Sequence, residues 1–260
     1  MTEFNGSPVA LISGAASGIG LALAQAYARN GVRVAGGYYP ADPHDPHDPR
    51  QAAALVDAAG GGALWLELDV TATASVDVFA QRALEHFGRI DYVVANAGLL
   101  YRSPIGEMSD AEWHKMLDVD LSGVMRLFRA AANRMTGPGS MVAISSIAGA
   151  FYGWQEHAHY AAAKAGVPGI CRSMAVELAP RGIRCNAVIP GLIETPQSLD
   201  KVNSLGPEGL AKAARAIPLG RVGQPQDVAG LIRFLTSDDA AYLTGQSIII
   251  DGGLTVRWPD

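Results

Sequence analysis

The stretch Val9-Ala-Leu-Ile-Ser13-Gly14-Ala-Ala-Ser17-Gly18-Ile-Gly20 decides the fold. It opens as a short apolar run closed by glycine, the pattern of a buried strand. Gly14 permits a tight turn, Gly18 lets another group approach the backbone, and Gly20 lets a helix pack closely on a strand. Ile19, Leu23, Ala26 and Tyr27 then recur at helical spacing, and Gly31 stops the helix. A helix that starts on such a turn offers free N–H groups and a positive dipole end to a phosphate. Three glycines alone also fit a turn that binds nothing. The strand before and the helix after favour the ligand-binding reading.

Outward from this unit the same alternation repeats. Val32–Ala35, Ala63–Leu68, Asp91–Ala95, Ser140–Ser145, Ile183–Val188 and Ser247–Ile250 read as further strands, and helical stretches separate nearly all of them. Continuous apolar strands are buried on both faces, which requires helices above and below a parallel sheet. Right-handed crossovers then give an α/β, doubly wound sheet of about seven strands in a single domain spanning 1–260. Pro40-Ala-Asp-Pro-His-Asp-Pro-His-Asp-Pro49 interrupts the pattern. Its prolines forbid helix and ladder alike, so it reads as a solvated loop after the second strand.

Composition narrows the function. The 260 residues are 49% apolar and 17% charged, with a formal charge of −5. That supports a large core and excludes global disorder. The apolar runs are too short for a spanning helix. Met1 to Pro8 has no basic segment followed by an apolar stretch, so no signal peptide is expected. A mildly acidic chain is a poor partner for nucleic acid. Cys171 and Cys185 are too few for a disulfide framework or a thiolate zinc site and read as buried small side chains. No histidine spacing suggests a metal. The expectation is a cytoplasmic protein without metal, membrane or nucleic-acid partner.

Several further motifs resemble the short-chain dehydrogenase/reductase family. Ser13 to Gly20 is similar to its Thr-Gly-x-x-x-Gly-x-Gly, with Ser for Thr. Ala95-Asn96-Ala97-Gly98 is similar to its Asn-Asn-Ala-Gly, and Tyr160-Ala-Ala-Ala-Lys164 to its Tyr-x-x-x-Lys. Ile144-Ser145-Ser146-Ile147 resembles the segment with the catalytic serine, which places that role on Ser146. Asn186 to Thr195, with Pro190, Gly191 and Ile193, and Asp251-Gly-Gly253 also match. The resemblance runs from about Val9 to Leu254. It implies a Rossmann fold that binds a nicotinamide dinucleotide through Ser13, Gly14, Ser17, Gly18, Ile19, Gly20, Tyr38, Asp69, Val70, Asn96, Ala97, Gly98, Tyr160, Lys164, Pro190, Gly191, Ile193 and Thr195. It also implies a homotetramer or homodimer built on the helix carrying Tyr160. There Ala161, Ala162, Ala163, Ala165, Gly166 and Gly169 permit close packing.

Two departures stand out. Asp120 occupies the place of a family Asn whose carbonyl holds a water beside the lysine; an Asp could hold that water too, or its side chain could become charged near Lys164. The segment from Ser146 to Tyr160 is one residue longer than usual.

The residues support the same chemistry. Tyr160 and Lys164 share a helical face. A tyrosine with its ordinary pKa of about 10 is a poor base. A nearby ammonium, and a cationic nicotinamide ring, would stabilise the phenolate. A three-unit shift needs roughly 4 kcal/mol at about 1.4 kcal/mol per unit. Tyr160 would then move the proton, as base for an alcohol and as acid for a ketone. Ser146 would hold the substrate oxygen. Lys164 would tune the phenol and bind the nicotinamide ribose. The reading is an NAD(P)-dependent oxidoreductase acting on a secondary alcohol or ketone, with catalytic residues Ser146, Tyr160, Lys164 and Asp120.

The cofactor is read as NAD ahead of NADP. Neither Ser17 nor Tyr39 is cationic, and the 2′-phosphate of NADP needs a basic group. Tyr38 stands where NAD enzymes of this fold usually carry an acid. Asp42 is an alternative contact to the ribose, and His44, His47 or Arg50 to a phosphate. Tyr101, Trp154 and His157 join Ser146 and Tyr160 as substrate contacts, and a lid is expected at about 195–216. These aromatic and polar groups suit a hydroxylated or cyclic small molecule. Arg102 reads either as an anion contact or as a solvated side chain. The alternatives are a 3-oxoacyl thioester reductase using NADPH, and a catalytically silent cofactor-binding regulator.

Overall fold

A computed structural model describes residues 6–41, 49–60 and 62–257. Asp42, His44 and His47 lie outside the described residues. The strands are β1 (Val9–Ser13), β2 (Arg33–Tyr38), β3 (Ala63–Glu67), β4 (Tyr92–Ala95), β5 (Gly139–Ile144), β6 (Ile183–Pro190) and β7 (Ser247–Ile250). The helices are α1 (Gly18–Ala28), α2 (Pro49–Asp57), α3 (Thr73–Phe87), α4 (Asp110–Leu117), α5 (Gly123–Ala132), the single distorted turn α6 (Ile147–Ala150), α7 (Ala158–Leu178), α8 (Pro196–Leu199), α9 (Gly206–Ala214) and α10 (Pro225–Thr236).

Among the described residues the strands form one parallel sheet in the order β3-β2-β1-β4-β5-β6-β7. Side chains alternate along each strand. Val9 and Leu11 of β1 join Val93, Met141 and Cys185 in one core with α3, α5 and α7. Ala10 and Ile12 join Val34, Val94, Val142 and Val188 in the other, with α1, α2 and α10. The doubly wound sheet is therefore covered on both faces. The winding reverses between β1 and β4, which leaves an open crevice above their C-terminal ends, the usual place for a ligand in this architecture.

Two strands differ from the sequence reading, and both differences have local causes. β2 runs on through Gly36 and Gly37 to Tyr38. The glycine pair does not end the strand because it seats neighbours. A Cβ on Gly36 would lie 2.8 Å from the Trp65 ring, and one on Gly37 would lie 2.5 Å from Leu68. β7 is apolar but is the edge strand, and Ile249 stays 37% exposed. The side chain of Asn186 ties β6 to the segment before it, donating to the Leu243 carbonyl (2.8 Å) and accepting from the Gln246 N–H (3.0 Å).

Candidate active site

The turns after β1, β4, β5 and β6 border one cavity of about 1420 Å³ at the strand ends. On the β1 side Ser17 precedes α1 and its side chain caps no N–H of that helix. The first N–H groups of α1 thus remain available to a ligand. Asn96 locks this turn to β4: its amide donates to the carbonyls of Gly14 (2.8 Å) and Ser13 (3.2 Å). The Ser13 hydroxyl accepts from the Asn96 and Ala97 N–H groups, both at 3.1 Å. Gly14 and Gly18 adopt positive φ of 64° and 49°, a region costly for residues with a Cβ. A Cβ on Gly20 would fall 2.0 Å from the Gly14 carbonyl oxygen.

On the β5 side two adjacent serines divide the work. Ser145 is buried and its hydroxyl donates to the Lys164 carbonyl (2.7 Å), which fixes α7 against the sheet. The Ser146 hydroxyl accepts from the Ala148 N–H (3.1 Å), and its side chain acts to lower the pKa of the Tyr160 phenol. Lys164 Nζ sits 5.7 Å from the centre of the Tyr160 ring and donates to the Ile144 carbonyl (3.2 Å). It also lies 3.0 Å from Asp120 Oδ2. Asp120 comes from a π-helical turn, Asp118–Ser122, between α4 and α5. Its other carboxylate oxygen accepts from the Leu99 N–H (2.7 Å). Gly98 passes over this pair, where a Cβ would lie 3.2 Å from Asp120 Oδ2 and 3.3 Å from Lys164 Nζ.

Burial and the ammonium act on the Tyr160 phenol in opposite directions. Among the chain's own groups the Tyr160 phenol is held above its ordinary value, not below it. Burial is the largest cause; Lys164 and the Ser146 hydrogen bond pull the other way, and Asp120 adds to the rise. Burial disfavours the Lys164 charge, but Asp120 and Tyr160 outweigh it and hold the ammonium above its usual range. Burial also pushes the Asp120 carboxyl up, against Lys164 and the Leu99 N–H. With an ammonium 3.0 Å from one oxygen and the Leu99 N–H donating to the other, the carboxylate is the charged partner of a buried ion pair.

Most of the expected site residues border the cavity. They include Gly14, Ser17, Gly18, Ile19, Asp69, Val70, Asn96, Ala97, Gly98, Asp120, Ser146, Trp154, Tyr160, Lys164, Pro190, Gly191, Ile193 and Thr195. Five expected residues do not. Ser13 and Gly20 stand behind the wall, where they shape the turn. Tyr38 points into the core beside α1 and α2; the strand alternation gives the wall position to Tyr39 instead. Tyr101 is turned away, its hydroxyl on the Glu112 carbonyl and its ring edge-on to His159. His157 is 1% exposed, stacked on Trp154, with its two ring nitrogens at the Gln155 (2.7 Å) and Asn203 (3.2 Å) carbonyls. The wall also holds residues that the sequence reading missed. Ala111, His114 and Lys115 of α4 share a face by helical spacing, and Leu254 follows the Asp251-Gly-Gly253 motif. From the stretch 195–216, Thr195, Pro196, Gln197, Ser198, Ser204, Leu205 and Leu210 reach the cavity.

A family model described as enoyl-(acyl carrier protein) reductase matches residues 14–255. The cis-4-hydroxycyclohexanecarboxylate dehydrogenase of Sinomonas cyclohexanicum is 40% identical over 258 residues, 98% of this chain and 99% of that protein. The 3-oxoacyl-(acyl-carrier-protein) reductase FabG of Escherichia coli (strain K12) is 36% identical over 248 residues, covering 95% and 96%. A solved short-chain dehydrogenase/reductase from Serratia marcescens BCRC 10948 superposes with a TM-score of 0.86 at 30% identity, covering 96% of this chain and 98% of that one. This chain is a short-chain dehydrogenase/reductase. The dehydrogenase/reductase is a nicotinamide-dependent oxidoreductase acting on a secondary alcohol or ketone. The residues present fit such a dinucleotide. The uncapped first turn of α1 faces the cavity beside Gly14 and Gly18, and Lys164 stands at its far end next to Tyr160.

Proposed function

We propose that Ser146, Tyr160 and Lys164 carry the reaction on a cyclic or hydroxylated secondary alcohol or ketone, with NAD as the preferred cofactor. The observation that carries this reading is the shared cavity. The glycine turn and the Ser146–Tyr160–Lys164 group open onto the same space, so cofactor and substrate meet in it. A bound nicotinamide ring supplies the hydride or takes it. The chain's residues do the rest. Ser146 orients the substrate oxygen by a hydrogen bond, and Tyr160 moves the proton at that oxygen. Lys164 holds the ribose side and sets the charge beside the phenol. Leu100, Trp154, Leu205, Leu210 and Leu254 give the substrate end an apolar wall. That wall suits a ring, the substrate form named for the Sinomonas relative.

Ser17, Tyr39 and Ala41 border the cavity at the end of β2, and none is cationic. This supports NAD over NADP, because a 2′-phosphate needs a basic partner. An acyl-carrier thioester is the second substrate class, favoured by the description of the family model. One experiment separates these readings. Cyclic alcohols and ketones, open-chain ones and a 3-oxoacyl thioester are assayed with NAD(H) and NADP(H), following cofactor absorbance. A kcat/KM highest for a ring with NAD(H) is expected. Highest activity on the thioester with NADPH overturns both parts, and no turnover with any pair favours a silent regulator.

We further place the enzyme in the cytosol as a dimer or tetramer. No described helix is long and apolar enough to cross a membrane. Ala163 and Gly166 of α7 are used inside the chain, Gly166 against Leu121, but Ala165, Gly169 and Val176 form an outer stripe. Light scattering at micromolar concentration tests the assembly, and a monomer mass overturns it.

A further inference from the structure

The buried pair beneath the catalytic tyrosine has its own consequence. Lys164 is the cation placed to stabilise a phenolate on Tyr160, yet a carboxylate contacts that same ammonium. Asp120 is 0% exposed and Lys164 is 4% exposed, so water screens the pair only weakly. In such a setting two opposite charges in contact present little net field to a third group. The titratable groups around the pair are few. Asp120 comes from the π-helical turn, Tyr160 and Lys164 from α7, and Tyr101 from the segment after β4. β5 contributes the Ile144 carbonyl, which adds a further negative dipole end at Nζ.

We propose that Asp120 is a positioning residue whose carboxylate acts as a counter-ion to Lys164 and opposes removal of the Tyr160 proton, so that the proton-accepting site needed for alcohol oxidation forms only at raised pH. The inference rests on the reading of Tyr160 as the proton carrier. In ketone reduction the carbonyl carbon accepts the electron pair and hydrogen that a reduced nicotinamide would supply. The carbonyl π electrons move to oxygen, and that oxygen takes the Tyr160 proton. The phenolate left behind is reprotonated from solvent. The reverse reaction must first remove the phenol proton, which Asp120 opposes. Alcohol oxidation is therefore confined to higher pH than ketone reduction. The same carboxylate also fixes the Leu99 N–H, so Asp120 couples the segment after β4 to the proton carrier.

The test reads Tyr160 directly. The full chain is labelled with carbon-13 at the tyrosine ζ position and titrated by NMR, and the Tyr160 signal is the one missing from Tyr160→Phe. In the wild type its midpoint is expected above the ordinary tyrosine value of about 10. In Asp120→Asn, which keeps the side-chain shape and an oxygen for Leu99, the midpoint is expected to fall by about one unit or more. On the acid limb of alcohol oxidation this corresponds to roughly a tenfold rise in kcat/KM at fixed pH, measured on the panel alcohol with the highest turnover. A wild-type midpoint at or below that of free tyrosine overturns the proposal even if the variant fails to fold. An Asp120→Asn midpoint equal to the wild type overturns it too. Failure of the underlying reading looks different: Tyr160→Phe would retain turnover, whatever Asp120→Asn does to the titration.

Discussion

Gly20→Ala separates two physical effects that predict opposite signs. Gly20 lies in the first turn of α1, with φ in the ordinary helical region. Helix propensity alone predicts that alanine stabilises such a site by about 0.5–1 kcal/mol. Space predicts the reverse. The new Cβ would sit 2.0 Å from the Gly14 carbonyl oxygen and 2.8 Å from the Asn96 amide nitrogen. An ordinary contact needs about 3.5 Å, so the backbone must open by about 1.5 Å. The neighbour is main chain, not the tip of a flexible side chain. Opening it breaks the Asn96–Gly14 hydrogen bond (2.8 Å), worth about 1 kcal/mol net, and adds overpacking strain of about 1–3 kcal/mol. Less the propensity gain, the expected loss is about 1–3 kcal/mol, or roughly 3–10 °C in Tm for a chain of this size. Gly31→Ala is the contrasting control: its φ is 74° with nothing near its Cβ, so it should cost only the left-handed backbone, about 1–2 kcal/mol. Thermal unfolding by circular dichroism gives both values, and calorimetry with NAD should show lost affinity for Gly20→Ala alone. A raised Tm for Gly20→Ala would refute the packing argument.

Tyr160→Phe removes the transferable proton but keeps the ring, so kcat should fall by about two to four orders of magnitude with fold and cofactor binding retained. A variant keeping more than about a tenth of wild-type kcat would assign the proton to another group. Gly18→Val places a branched side chain at φ 49° against Thr195, where Cβ alone would lie 3.3 Å from Cγ2, and should abolish NAD binding in calorimetry. His159 is fully buried, and no hydrogen-bond partner reaches either ring nitrogen among the described residues. Burial, then His157, lowers its proton affinity below the ordinary histidine value. The unfolded chain thus binds that proton more readily, and stability present above about pH 6.5 is lost as pH falls through the folded value. Tm should drop between neutral and mildly acidic pH, and less steeply in His159→Phe, which keeps a ring against Tyr101; equal slopes would sink this assignment.

The sequence carried the chemistry further than the geometry. Periodicity marked the strand–turn–helix at Gly14 and Gly18, and the family resemblance added Asn96, Ser146, Tyr160 and Lys164; all six border the same cavity. Gly20 was legible for its packing role, and the structure gives it no place on the cavity wall. Asp120 was legible as a neighbour of Lys164 from the family position it fills; the direct contact of 3.0 Å and the second bond to the Leu99 N–H come from the π-helical turn, which no residue pattern marks. Tyr38 and Tyr39 were both considered, but only the end point of β2 decides which one faces the cavity, and the glycine pair Gly36-Gly37 hid that end point. Tyr101 and His157 look like substrate contacts by composition. Their polar atoms are instead taken by main-chain carbonyls, a use that leaves no trace in residue type.

That use of main-chain carbonyls bears on how the substrate range of this enzyme can change. The stretch between β6 and α10 borders the cavity and is tied down at Asn203, whose carbonyl meets the His157 ring (3.2 Å), and at Ser204, whose carbonyl accepts from Arg102 (2.8 Å). Both anchors grip backbone atoms, which every residue type supplies. The side chains of Ser204, Leu205 and Leu210 can therefore be exchanged without breaking these two bonds, whereas the Asn203 amide also donates to Asp200 Oδ2 (2.8 Å). Directed evolution of specificity is best aimed at those three positions, with His157 and Arg102 left untouched as the fixed posts of a variable wall.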